Sequence, residues 1–118
     1  MVAARKSTET IDADVMRAWE AIVATLVREK RVTAPSATRG RFGSNGLKAN
    51  GKIFAMLAQS TVVVKMPRER VDALVSASAG ERFDPGHGRL MKEWIALRGD
   101  TRRWLALARE AHAFVSAE

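Results

Sequence analysis

The dipeptide Asn50-Gly51 constrains this chain more than any other feature. Asn-Gly is the preferred pair for a two-residue type I′ turn, because both central residues of that turn take positive φ. It stands between Leu47-Lys48-Ala49 and Lys52-Ile53-Phe54, so those two runs are expected to pair as an antiparallel hairpin. A second two-residue turn at Gln59-Ser60 would fold Thr61–Met66 back against Lys52–Ala58 and complete a three-stranded meander within residues 42–66.

Two such turns also fix a register, and a register fixes faces. Strict alternation puts Ile53, Ala55, Leu57, Val62, Val64 and Met66 on one side, the natural core face. Leu47, Lys52, Phe54, Met56, Val63 and Lys65 fall on the other side, apolar in its middle with lysines among the apolar groups.

Helical spacing surrounds the meander. Ile11, Val15, Trp19, Ile22, Val23 and Leu26 form one apolar stripe, which predicts an amphipathic helix over residues 9–30. Thr8 or Thr10 would cap it, with Glu9, Asp12 and Asp14 near its positive end and Arg28, Lys30 and Arg31 near its negative end. Residues 31–41, with Pro35 and Gly40, read as a polar connector. Pro67 is expected to open a second helix, which Gly80 closes and Val71, Leu74 and Val75 bury. Residues 81–97 read as two short strands joined by a tight loop at Asp84–Gly88. Gly99-Asp100 breaks the chain, and Asp100 or Thr101 caps a last helix to about Ala117, lined by Trp104, Leu105, Ala108 and Val115. The expected order is helix, three strands, helix, two strands, helix: an α+β fold in a single domain over residues 1–118, with residues 1–7 disordered. A chain of 118 residues is expected to bury roughly two-thirds of its extended surface around one core.

Composition removes several function classes. With no cysteine, disulfides, thiolate catalysis and cysteine-based zinc sites are excluded, and two histidines make a histidine-rich metal site a poor expectation. The start, MVAARKSTET, has no apolar run of a secretory signal. The uncharged stretch from Ile53 to Val64 is twelve residues, too short for a membrane span. A soluble, cytoplasmic protein without membrane contact is expected.

Net charge is +7, and its placement matters more than its size. Residues 30–68 hold eight basic side chains and no acidic one, whereas the rest of the chain holds 12 basic and 13 acidic residues, a balance of −1. All the excess positive charge thus lies in one segment, so an acidic partner, nucleic acid included, has to be weighed.

From Gly40 to Leu57, GRFGSNGLKANGKIFAML, and then through VVVKMPRERVDAL and MKEW, the sequence resembles the N-terminal domain of the TfoX/Sxy family and, more distantly, the YjbR/MmcQ-like proteins. The ordered set that carries the likeness is Phe42-Gly43, Gly46-Leu47, Asn50-Gly51-Lys52, Phe54-Ala55-Met56-Leu57, Lys65 before Pro67, Arg70, Phe83 and Met91-Lys92-Glu93-Trp94. The resemblance implies a compact α+β domain with a curved antiparallel sheet, akin to secretion-chaperone-like folds. It also implies a bacterial, regulatory setting, since TfoX is similar to regulators of transcription in natural competence, where this domain precedes a helical one. That second domain is not expected here.

Three candidate sites follow from the residues. Arg39, Arg41, Lys48, Lys52, Lys65 and Arg68 form a candidate nucleic-acid or anion-binding surface, or else a solvated basic face. Phe42 and Phe54 are the only aromatics interleaved with these charges. Leu47, Phe54, Met56 and Val63 form a candidate protein interface or dimer surface, unless a helix of the same chain covers them. His87, between two glycines and near Asp84, is the best place to look for general-base chemistry, yet no nucleophile motif or second metal ligand accompanies it. Gly43, Gly46 and Gly51 lie among strands rather than before a helix, so they do not form a phosphate loop. Trp19, Trp94 and Trp104 read as core and His112 as a helix-surface residue. The expectation is a non-catalytic domain with no metal, cofactor or small-molecule substrate. It would bind a protein partner or a second copy of itself, or alternatively nucleic acid, with an enzyme using His87 as the distant third.

Overall fold

A computed structural model of the chain describes residues 12–34, 46–85, 88 and 90–117. It is an α+β structure with three helices and a six-stranded sheet whose paired strands all run antiparallel. In chain order the elements are α1 (Ala13–Leu26), β1 (Val32–Thr33), β2 (Gly46–Ala49), β3 (Lys52–Ala58), β4 (Thr61–Lys65), α2 (Arg68–Ser76), β5 (Gly80–Phe83), β6 (Met91–Leu97) and α3 (Trp104–Ser116), the last preceded by a 3₁₀ turn at Thr101–Arg103. The strands lie in the order β1-β2-β3-β4-β6-β5.

Both expected turns are two residues long. Ala49 pairs with Lys52 and Ala58 with Thr61. Asn50 and Gly51 take φ of 54° and 82°, and Gln59 and Ser60 take 52° and 68°, the left-handed pair that keeps twisted strands in register.

Between the turns, however, the register shifts. Lys48 pairs with Ile53 but Leu47 pairs with Ala55, so Phe54 is the extra residue of a β-bulge. Phe54 and Ala55 therefore both join the main core, together with Leu47, Ala49, Val62, Val64 and Met66. This corrects the strict alternation expected from the turns. Leu47 and Phe54 move to the core side, Lys52 follows Ala49 to that side at the turn, and Ile53 moves to the opposite side.

All three helices lie on that core side. Trp19, Ile22 and Leu26 of α1, Val71 and Leu74 of α2, and Trp104, Leu107, Ala108, Ala111 and Val115 of α3 share one cluster with the inward strand residues. The opposite side carries a smaller cluster of Met56, Val63, Phe83 and Ala96, flanked by Ile53, Ala58 and Trp94, to which no helix among the described residues contributes.

Helix ends differ from expectation for local reasons. The described part of α1 is capped by Asp12, whose carboxylate accepts the Asp14 N–H at 2.7 Å, and Thr8, Thr10 and Ile11 lie outside the described residues. At its other end α1 stops at Leu26, and Arg31 turns to φ 63°, which frees Val32–Thr33 to pair with Ala49 and Lys48. Pro67 acts as the cap of α2 rather than its first turn, its carbonyl accepting from the Arg70 and Val71 amides. Helix α2 ends at Ser76, before Gly80, with Ser78 at φ 62° and the Ala79 N–H bonded to the Leu74 carbonyl at 2.9 Å. Gly80 serves the sheet instead: a Cβ there would stand 2.6 Å from the Ala96 carbonyl oxygen.

Candidate functional site

Most large apolar side chains among the described residues are buried. Two are exposed, and they are neighbours: Leu90 at 57% and Met91 at 37%. Both line an open groove of about 880 Å³ at one end of the sheet, together with Pro67, Trp94 and Phe114. Lys65, Arg68 and Lys92 also line it, as do Glu69 and Glu93.

Strand lengths create the groove. The β4–β6 ladder ends at Lys65 opposite Trp94, with one further bond from the Met66 N–H to the Glu93 carbonyl at 3.0 Å. Pro67 then turns the chain into α2, while β6 extends back to Met91, which pairs with Phe83 on its other side. The start of β6 thus runs past the end of β4, and the space beside it opens between α2 and Phe114 of α3. One bidentate ion pair bridges those helices: Arg70 donates through Nε to Glu110 Oε1 at 2.8 Å and through a terminal nitrogen to Oε2 at 3.0 Å. The bonded Glu110 carboxylate raises the Arg70 guanidinium above its ordinary pKa, against a smaller opposing effect of burial.

Positive charge gathers on the sheet side that carries no helix among the described residues. Lys48 stands opposite Ile53, and alternation from Val63 and Ala96 places Lys65 and Arg98 there as well. Glu81, opposite Ala96 and paired with Arg98 at 3.4 Å, is the acidic group that the same alternation puts among them. Arg68 and Lys92 make no ion pair among the described residues.

The expected site residues are therefore redistributed. Lys48 and Lys65 lie on the helix-free side, Lys52 at the Asn50-Gly51 turn on the core side, and Arg68 at the start of α2. Arg39, Arg41 and Phe42 lie outside the described residues, as does His87. The expected interface of Leu47, Phe54, Met56 and Val63 does not form one exposed patch. The bulge sends Leu47 and Phe54 to the helix-covered core while Met56 and Val63 stay on the opposite side, and none of the four exceeds 3% exposure.

Trp19 and Trp104 are core, but Trp94 is half-buried and lines the groove. His112 is half-buried too, its ring lying against Phe54. Sequence reading missed Leu90, Met91 and Phe114 as a group, because the groove joins residues from distant parts of the chain. The adjacent apolar pair Leu90-Met91 beside Lys92-Glu93, in a strand too polar to be fully buried, was the available signal.

Among the described residues no group of His, Asp or Glu is placed to hold a metal ion, and no helix is long and apolar enough to cross a membrane. Comparison with known proteins found no matching family model, no matching curated protein and no matching solved structure.

Proposed function

We propose that this protein is a small non-catalytic binding domain of the TfoX N-terminal type. It acts in the cytoplasm by holding a protein partner at the groove between α2, β6 and α3. The observation that carries this reading is the adjacency of Leu90 and Met91, exposed beside Trp94 and Phe114 in an open groove. Exposed apolar groups gathered at one concavity mark an interaction surface, whereas scattered ones mean nothing. The family resemblance adds a regulatory setting to the reading, through the residues that carry it.

The test compares Leu90→Asp/Met91→Asp with wild type and with Arg109→Glu on the exposed part of α3. Each is purified from its native cell under nuclease treatment, and the bound proteins are identified by mass spectrometry. The reading expects a protein retained by wild type and Arg109→Glu and lost from the double variant. Identical material on all three chains would overturn it.

A second reading has its own observation: Lys48, Lys65 and Arg98 share one side of the sheet with Glu81. Such a surface suits a nucleic-acid backbone, with affinity falling steeply as salt rises. Lys48→Ala and Lys65→Ala would then each flatten that salt dependence. An unchanged slope would remove this reading.

A further inference from the structure

Resting on the groove as a protein-binding site, we infer that its occupant is a second copy of this chain, docked groove to groove about a two-fold axis. A two-fold contact uses one patch twice, so the patch must carry both a projection and a recess to receive it. The groove has both. Leu90 and Met91 are the exposed large apolar side chains among the described residues, and they stand beside the half-buried Trp94 and Phe114. Turned on itself, the patch sets Leu90 and Met91 of each copy into the groove of the other.

The charges of the groove meet the same requirement. Arg68 and Lys92 are balanced by Glu69 and Glu93, and each cation is next in sequence to one of the anions. All four are exposed, and none makes an ion pair among the described residues. Lys65 also lines the groove, but it is already engaged within the chain. An acidic partner would answer only Arg68 and Lys92, and a basic one only Glu69 and Glu93. A second copy answers all four, because it brings both signs to the contact. The chain as a whole carries +7, so its copies repel one another on average. A groove whose free charges cancel is a place where they can meet without that cost.

Sedimentation equilibrium of the purified chain tests this. Wild type is expected to show a reversible monomer–dimer equilibrium. Leu90→Asp/Met91→Asp should weaken it roughly a hundredfold, the loss of two apolar anchors. Two further variants test the charges and leave the apolar groups in place. Arg68→Glu/Lys92→Glu makes the groove acidic and Glu69→Lys/Glu93→Lys makes it basic, so each should pair with itself roughly tenfold more weakly than wild type. Mixed together, the acidic and basic variants should form a mixed dimer at wild-type strength. Added salt should narrow these differences, because the charges are solvent-exposed.

A wild-type chain that stays monomeric up to millimolar concentration would overturn the inference. So would a dimer indifferent to Leu90→Asp/Met91→Asp, or a mixture of the charge variants that pairs no more tightly than its components. A monomer that still retains a different protein in cells through Leu90 and Met91 would remove only the second copy and leave the groove as a docking site. A monomer that retains no protein through them would remove both.

Discussion

The ring of Phe54 lies 5.3 Å from that of His112 with the planes inclined at 60°, which ties the bulge in β3 to the middle of α3. Phe54 is fully buried there, so it belongs to the core that positions α3 and, through α3, Phe114 in the groove. Phe54→Ala should cost about 3–5 kcal/mol by denaturant unfolding, the range for emptying a buried aromatic site. Phe54→Asp should abolish folding altogether. A folded Phe54→Asp chain of altered oligomeric state would mean that this side chain faces outward.

Gly80 tests the packing of β5 against β6. An added methyl would approach the Ala96 carbonyl oxygen to 2.6 Å and the Ile95 side chain to 2.7 Å, and backbone cannot move aside cheaply. Gly80→Ala should therefore destabilise by roughly 1–3 kcal/mol, the usual cost of overpacking. Calorimetry would read this as a melting temperature lower by several degrees. An unchanged value would contradict the close approach.

Ser60 predicts the opposite sign. It holds φ at 68° in the β3–β4 turn, where a side chain is strained by roughly 1–2 kcal/mol and glycine is not. Glycine gives back part of that gain through the greater freedom of the unfolded chain. Ser60→Gly should raise stability by about 0.5–1 kcal/mol. Gln59 is best left alone, since its side-chain amide donates to the Asp84 carbonyl at 2.7 Å.

Asp100 supplies a pH dependence. Its carboxylate accepts from the Arg102 side chain and from the Arg102 backbone N–H, and these bonds hold its pKa below the ordinary carboxylate value. A depressed folded-state pKa means that stabilisation is complete above the ordinary carboxylate range and is lost as pH falls through the folded-state value. Asp100→Asn should therefore lower the melting temperature slightly at neutral pH and match wild type in strong acid. A constant offset across the acid range would show that the cap works without its charge.

Much of the fold was legible because local chemistry dictates it. Asn50-Gly51 and Gln59-Ser60 set two hairpins, Pro67 set the start of α2, and the spacing of Trp19, Ile22 and Leu26 set the buried stripe of α1. What the turns could not convey was the bulge at Phe54, since one unpaired residue reverses every facing beyond it and leaves no mark in composition. Val32–Thr33 was missed for a related reason: two residues carry no periodicity, and only the pairing with Ala49 and Lys48 makes them a strand. The groove was the least legible feature. It depends on β6 outrunning β4 and on the separation of α2 from α3, and both are set by tertiary packing rather than by any single segment.

The central claim is that the groove holds a protein, and a photo-reactive amino acid at position 91 tests it most directly. The same residue at position 106, on the exposed part of α3, provides the comparison. After irradiation in the native cell, the account predicts a discrete adduct from position 91, absent from position 106, that survives nuclease and disappears with protease. No adduct at position 91, or an adduct removed by nuclease, would contradict it.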